Sequence, residues 1–241
     1  MTSTSSPVLV VLGAGPGLGL SVAQRFGAAG YRVALISRSP QRHSDYLAAL
    51  ADNGIEAAAY VADAARPDQL RSAIDAVRAR FGRIDVGYYG PAAFETAPTG
   101  DITDLDAAGA KAALDSVVPA VDFAAQLLPE MRQRGSGGLL FAGGLSSVVP
   151  MPPLSGLALA AAALRNYAVT LHAALAPAGI YAGTLTIGGL IERGDIHRAM
   201  ADSPLFAGIA IHTLNPDELA EQIWQLYTDR SAAETVVNVI A

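Results

Sequence analysis

The stretch Gly13-Ala14-Gly15-Pro16-Gly17-Leu18-Gly19 separates the apolar run Val8-Leu9-Val10-Val11-Leu12 from an alanine-rich segment of helical character. Five consecutive branched residues read as a strand buried on both faces. A buried strand that turns directly into a helix presents unpaired backbone N–H groups at the helix start, where the dipole favours an anion. Glycines at the turn let a pyrophosphate approach the main chain, so the stretch reads as a phosphate cradle. A glycine-rich turn with no ligand is the alternative. Spacing narrows the type of cradle. The pattern G-x-G-x-x-G fails in either register, because Leu18 or Leu20 falls on its last position, whereas Gly13, Gly17 and Gly19 satisfy G-x-x-x-G-x-G.

Beyond the cradle the chain alternates between helical and strand patterns. Leu18 to Ala29 reads as a helix ended by Gly30, and Tyr31 to Ile36 as a second strand, which completes a right-handed βαβ unit. Helices are expected at 41–53, 68–81, 105–134, 154–176 and 215–227, and strands at 55–62, 83–89, 137–142, 180–187 and 235–240. The long region 105–134 is expected to break near Gly109 and to kink at Pro119. Such alternation specifies an α/β fold of Rossmann type, a doubly wound parallel sheet of about seven strands with helices on both faces. No Pro/Gly/Ser-rich linker divides the 241 residues, so residues 1–241 read as one domain, with a flexible N-terminus at 1–6 and a substrate lid at 188–208.

Composition excludes several functions. Apolar residues make up 51% of the chain and charged residues 16%, far from a disordered composition. A net charge of −6 with scattered arginines and no basic stripe argues against nucleic acid as a partner and for a small molecule. There is no cysteine, hence no disulfide, thiol nucleophile or cysteine-ligated metal. His43, His172, His197 and His212 lack metal-ligand spacing, so no metal site is expected. Gly143-Gly144-Leu145-Ser146-Ser147 is not the G-x-S-x-G elbow of a serine hydrolase. No apolar run suits a bilayer span, and Met1 to Pro7 carries no signal-peptide pattern, so a cytoplasmic protein is expected, with no membrane partner.

In its G-x-x-x-G-x-G loop and its order of elements, the chain resembles the short-chain dehydrogenases/reductases. The resemblance implies a nicotinamide dinucleotide whose pyrophosphate lies on Gly13, Gly15, Pro16, Gly17, Leu18 and Gly19. It places Ser37 and Arg38 at the adenosine ribose, Asp63 and Ala64 beside the adenine, Gly90 and Pro91 beside a ribose, and Ile187 and Leu190 against the nicotinamide carboxamide. An acidic residue would accept hydrogen bonds from the ribose at the end of the second strand, whereas Ser37-Arg38 stands there with Arg42 nearby. Those residues suit a 2′-phosphate, so NADP(H) is expected over NAD(H); the alternative is surface charge at a helix start. Asp63 has a helix cap as its alternative role. Tyr89, where the family carries asparagine, is either a proton donor or a ring packed on its surroundings.

The same resemblance marks a departure. Aligned on Ala162-Ala163-Leu164-Arg165, the family's catalytic tyrosine and lysine fall on Leu157 and Ala161, its serine on Gly144 and its asparagine on Ser116. Residues 143–166 contain no tyrosine and no lysine, so no shift of register restores the pair, and Lys111 is the only lysine in the chain. Leu145, Leu157 and Ala161 would then form an apolar wall. Tyr89, Ser146, Ser147 and Ser155 are the candidate donors, with Glu95, Glu192, Asp195 and His197 on loops at the same sheet edge. Two readings follow: an NADP(H)-dependent oxidoreductase with a relocated donor or a substrate that needs none, and a redox-neutral or inactive cofactor-binding homologue serving as sensor, partner subunit or substrate-shaping catalyst. Family likeness further implies self-association as a dimer or tetramer through 105–134 and 154–176, with burial inside one subunit as the alternative.

Overall fold

The computed structural model describes residues 6–92, 97–201 and 212–240. In chain order the elements are β1 (Val8–Leu12), α1 (Leu18–Ala28), β2 (Arg32–Ser37), α2 (His43–Ala51), β3 (Ala57–Val61), α3 (Pro67–Phe81) and β4 (Val86–Tyr89). There follow α4 (Ala107–Asp115), α5 (Val118–Arg134), β5 (Gly137–Gly144), α6 (Ser155–Leu175), β6 (Ile180–Gly188), β7 (Leu190–Ile191), α7 (Asp195–Ala201), β8 (Thr213–Leu214), α8 (Pro216–Asp229) and β9 (Glu234–Asn238). Seven strands form one sheet in the order β3-β2-β1-β4-β5-β6-β9, and every pairing in it is parallel.

The side-chain period of two divides each strand between two cores. Val8, Val10 and Leu12 of β1 join a cluster with α3, α5 and α6, whereas Leu9 and Val11 join one with α1, α2 and α8. Both faces are thus covered, which explains why β1 is apolar at every position. The chain winds from β1 outward to β3 and then returns to β4 on the other flank of β1. The carboxyl ends of β1 and β4 therefore border the crevice where the winding reverses, the usual place for a ligand in this architecture.

Two expectations about elements need correction. The region 105–134 breaks at Ser116-Val117, not near Gly109. Gly109 belongs to the first turn of α4, where its N–H donates to the capping carboxylate of Asp106 at 2.7 Å. Pro119 starts α5 instead of kinking it, because its missing N–H has no helical partner in a first turn. Of the span 188–208, expected as a substrate lid, the described part holds the paired strand β7 and the helix α7, while 202–208 lie outside the described residues. Residues 1–5 of the expected flexible N-terminus also lie outside them, and the Ser6 carbonyl accepts from the Arg32 guanidinium at 3.0 Å. The two-stranded sheet of β7 and β8 has no counterpart in the sequence reading.

The edge strand β9 is fastened through a charged group. The Arg165 guanidinium on α6 donates to Glu234 at 2.7 Å, and the Thr186 hydroxyl on β6 donates to the same carboxylate at 2.6 Å. The Arg165 hydrogen bond holds the Glu234 carboxyl below the usual carboxylate range. A carboxyl depressed in the folded state contributes stability above its unfolded value, near 4.5, and loses it as pH falls through the lower folded value. Glu234→Gln is therefore expected to cost about 2 kcal/mol at pH 7 and to flatten the loss of stability on acidification below about pH 4.5, both read by urea denaturation across pH. At Gly19, an added Cβ would lie 2.7 Å from the Gly13 carbonyl oxygen and 3.1 Å from Ala14 Cα. Gly19→Ala is expected to cost about 1–3 kcal/mol in the same measurement, because backbone and not a flexible side chain must yield.

Candidate functional site

The cradle is shaped almost wholly by main chain. Gly13 sits at φ +87°, and its N–H and that of Ala14 both donate to the Ile36 carbonyl at 3.0 Å, which ties the loop to the end of β2. A Cβ on Gly13 would stand 2.7 Å from Pro91 N, and Gly90 N–H donates to the Leu12 carbonyl at 2.9 Å, so the loop after β4 lies directly against the cradle. Gly17 is backed by the Glu192 carbonyl, 3.2 Å from a would-be Cβ. Gly15 differs from these: nothing lies within 4 Å of the Cβ position, so its open side faces away from protein atoms. No side chain caps the start of α1 and no acidic residue occupies its first turn. Open space beside Gly15 and an uncapped positive helix end suit a pyrophosphate, so these residues fit a dinucleotide.

At the carboxyl end of β2, Ser37 closes the strand and Arg38 is exposed just beyond it. Ser37 Oγ lies 2.7 Å from His43 Nε2, joining β2 to the start of α2, and burial of His43 pushes its imidazole below the ordinary value. Arg42 is engaged by Asp195, whose two oxygens accept from Nη1 and Nη2 at 2.8 and 2.9 Å. Asp63 Oδ1 accepts from Ala65 N–H at 3.0 Å, while its own N–H donates to Gln69 at 3.0 Å. It shapes the turn between β3 and α3 and does not cap α3, whose N-cap is Arg66. Ala64 packs on the core beside it.

The opposite end is apolar. Ile187 pairs with Gly144 across β6 and β5 and is buried, and Leu145 reaches over β6 so that a Cβ on Gly188 would lie 2.6 Å from Leu145 Cδ2. Leu190 pairs with Thr213. Leu157 is half-buried and packs on the small cluster of Ala97, Ala113 and Ala160, and Ala161 is half-buried one turn later. Tyr89 is only 3% exposed, with ring centroids 6.2 Å from Phe123 and 6.3 Å from Phe141. Burial pushes its phenol well above the ordinary range, which favours the packed ring over the proton donor.

The remaining candidate donors are scattered. Ser146 Oγ lies 3.7 Å from the Cβ position of Gly144, close to where a side chain at that strand end would project. Ser147 Oγ is buried with no hydrogen-bond partner among the described residues. Ser155 Oγ donates to the Pro98 carbonyl at 3.1 Å, from a residue at φ +24°. Glu192 accepts from Thr213 at 2.8 Å, His197 lies on α7, and Glu95 falls outside the described residues. His172 Nδ1 is 2.8 Å from the Ala182 carbonyl, a local structural contact. Among the described residues there is no group of three or more His, Cys, Asp or Glu able to hold a metal ion, and no helix is long and apolar enough to cross a membrane.

Sequence reasoning missed how the segment after β6 is tied down. Arg193, at φ +64°, pairs with Asp217 of α8 at 2.7 Å and donates to Ser21 of α1 at 3.2 Å, and Ser21 donates to the same carboxylate at 2.7 Å. The partners are 172 and 196 residues apart in sequence for the two Ser21 bonds, so no local pattern could reveal them.

Comparison with known proteins agrees with this geometry. The family profile described as short chain dehydrogenase matches residues 7–193. Among curated relatives, a ketoacyl reductase of the granaticin polyketide synthase from Streptomyces violaceoruber is 33% identical over 84 residues, which are 35% of this chain and 31% of that protein. The chain thus matches about a third of that relative's length. The (2S)-[(R)-hydroxy(phenyl)methyl]succinyl-CoA dehydrogenase subunit BbsC of Thauera aromatica is 25% identical over 234 residues, 95% of this chain and 90% of that protein. Among solved structures, L-sorbose reductase from Gluconobacter frateurii, complexed with NADPH and L-sorbose, superposes with a TM-score of 0.84 at 21% identity, covering 97% of this chain and 95% of that one. With the glycine loop in the β1/β4 crevice, the seven-stranded parallel sheet and a profile match across most of its length, the chain belongs to the short-chain dehydrogenase family.

Proposed function

We propose that the chain is an NADP(H)-binding oxidoreductase that acts on a small organic substrate through an atypical site lacking the family's tyrosine and lysine. The observation that carries this reading is the cradle itself: the open side of Gly15 beside the uncapped start of α1, in the crevice where β1 and β4 meet. Within it, Gly13, Gly15, Pro16, Gly17, Leu18 and Gly19 hold the pyrophosphate, and Ser37, Arg38, Asp63 and Ala64 take the adenosine end. Gly90, Pro91, Ile187 and Leu190 border the ribose and nicotinamide. The L-sorbose reductase with a similar fold is described as an NADPH complex, in keeping with this preference.

A bound NADPH supplies hydride. What the chain adds is orientation, exclusion of water by Leu145 and Ile187, and a hydroxyl donor. Ser146 Oγ is the donor nearest to the vacated serine position at Gly144. With no lysine or tyrosine in 143–166, that hydroxyl polarises an acceptor without delivering a proton readily. Substrates that suit it are an iminium, which becomes a neutral amine on taking hydride alone, and an activated alkene, whose enolate needs a hydrogen bond and then a proton from water.

A second reading, a redox-neutral partner subunit, is favoured by one observation: Leu157 lies in an apolar cluster where the tyrosine would act. BbsC is itself named as a subunit of a dehydrogenase. Self-association as a dimer or tetramer accords with Leu114, Val118 and Val121, which expose an apolar stripe on α4 and α5. A cytoplasmic protein with a small-molecule partner, and with neither nucleic acid nor membrane, completes the proposal.

NADPH fluorescence on titration is expected to report binding, and absence of binding at millimolar cofactor would defeat both readings. With binding established, turnover on a panel of carbonyls, imines and enones selects the oxidoreductase, and silence across it selects the partner subunit. In the oxidoreductase, Ser146→Ala is expected to lower kcat by about 10- to 100-fold. Tyr89→Phe should leave kcat within about twofold, since a ring confined to packing keeps its shape without the hydroxyl.

A further inference from the structure

The segment between β7 and α7 runs across the mouth of the cradle and ends on a charged knot. Glu192 and Gly194 back Gly17, and the next residue, Asp195, grips Arg42 through both carboxylate oxygens at 2.8 and 2.9 Å. Arg198, one turn on, lies 3.3 Å from the same carboxylate. The Arg42 hydrogen bonds hold the Asp195 carboxyl below its usual range, with the charges of Arg198 and Arg38 acting in the same direction. Two guanidiniums, those of Arg42 and Arg198, therefore meet on one carboxylate.

The position of this knot is informative. Arg42 stands at the start of α2, and the Ser37–His43 contact fixes that start against the end of β2. The same strand end receives the cradle through the Ile36 carbonyl. The knot thus lies by the end of β2, beside the cradle. Bidentate contact to a guanidinium fork is also the geometry by which arginine takes a phosphate. Arg42 and Asp195 are 46% and 59% exposed, so their pair is the screened, weakly stabilising kind that an incoming anion can displace. The segment itself need not leave when the pair opens, because Arg193 remains tied to Asp217 and Ser21.

We propose that Arg38, Arg42 and Arg198 form an anion site in which Asp195 is a built-in competitor, so that Asp195 sets the preference of the chain between dinucleotides with and without a 2′-phosphate. The proposal rests on the cofactor reading above and goes beyond it: the chain's own carboxylate must be displaced before a 2′-phosphate gains Arg42, which weakens NADP(H) and leaves NAD(H) untouched.

Fluorescence titration of NADPH and NADH against the unaltered chain, Asp195→Asn, Asp195→Ser, Arg42→Ala and the double variant Arg42→Ala/Asp195→Asn provides the test. Both Asp195 variants are expected to tighten NADPH about three- to tenfold while NADH stays within about twofold, and the gain is expected to fall below about twofold on the Arg42→Ala background. An unchanged NADPH-to-NADH ratio, or equal tightening of both, overturns the role of Asp195 while the cofactor reading stands. Failure of the unaltered chain to bind either dinucleotide removes the cofactor reading and this proposal with it.

Discussion

One carbonyl oxygen, that of Ile36, accepts the N–H groups of both Gly13 and Ala14, and much of the site depends on this shared acceptor. It bends the chain out of β1 at a left-handed glycine and aims the following turn at the start of α1. Two close approaches complete the knot: Gly19 against the Gly13 carbonyl, and Gly13 against Pro91. Segments from three strands and one helix meet there chiefly through backbone, with Pro91 Cδ beside Gly13. Backbone contacts of this kind do not depend on side-chain identity except where a Cβ would intrude, so the cradle is fixed by the glycine positions alone.

The other half of the site is built on a different principle. Leu145 over Gly188, Ile187 beside Gly144 and Leu157 against Ala113 are contacts between side chains, held by apolar burial. Such a surface excludes water and offers few hydrogen-bonding groups. The hydroxyls near it, Ser146 and Ser147, belong to the short turn after β5. The division between a backbone-made turn and an apolar wall is the main chemical character of this crevice among the described residues.

Ion pairs tie down the segment that passes the cradle. Arg193 with Asp217 and Arg42 with Asp195 link the segment after β7 to α8, α1 and α2. Each pair is largely exposed and weak by itself, but together they fix where the segment crosses the cradle. Arg165 with Glu234 does the same for the edge strand β9, in a drier setting, where the carboxylate is only 16% exposed.

Much of this was legible in the chain before any coordinates. The strand and helix order, the glycine-rich turn after β1 and the absence of tyrosine and lysine from 143–166 follow from local composition and spacing, because buried parallel strands must be apolar at every position and a turn packed so closely needs glycine. Element ends were less legible: the break at Ser116-Val117 depends on Asp106 capping α4 and on Pro119 entering a first turn, both decided by which residues the neighbouring segments leave free. Only the tertiary structure could decide whether Tyr89 faces the site or the core, since a strand-end tyrosine satisfies either pattern and its packing on Phe123 and Phe141 selects one. It likewise decided the fate of Arg42, whose partner lies 153 residues away. Sequence fixes what is local, namely periodicity, turns and the chemistry each residue carries; pairing between distant charges and the side to which a ring turns are set by how the sheet brings remote segments together.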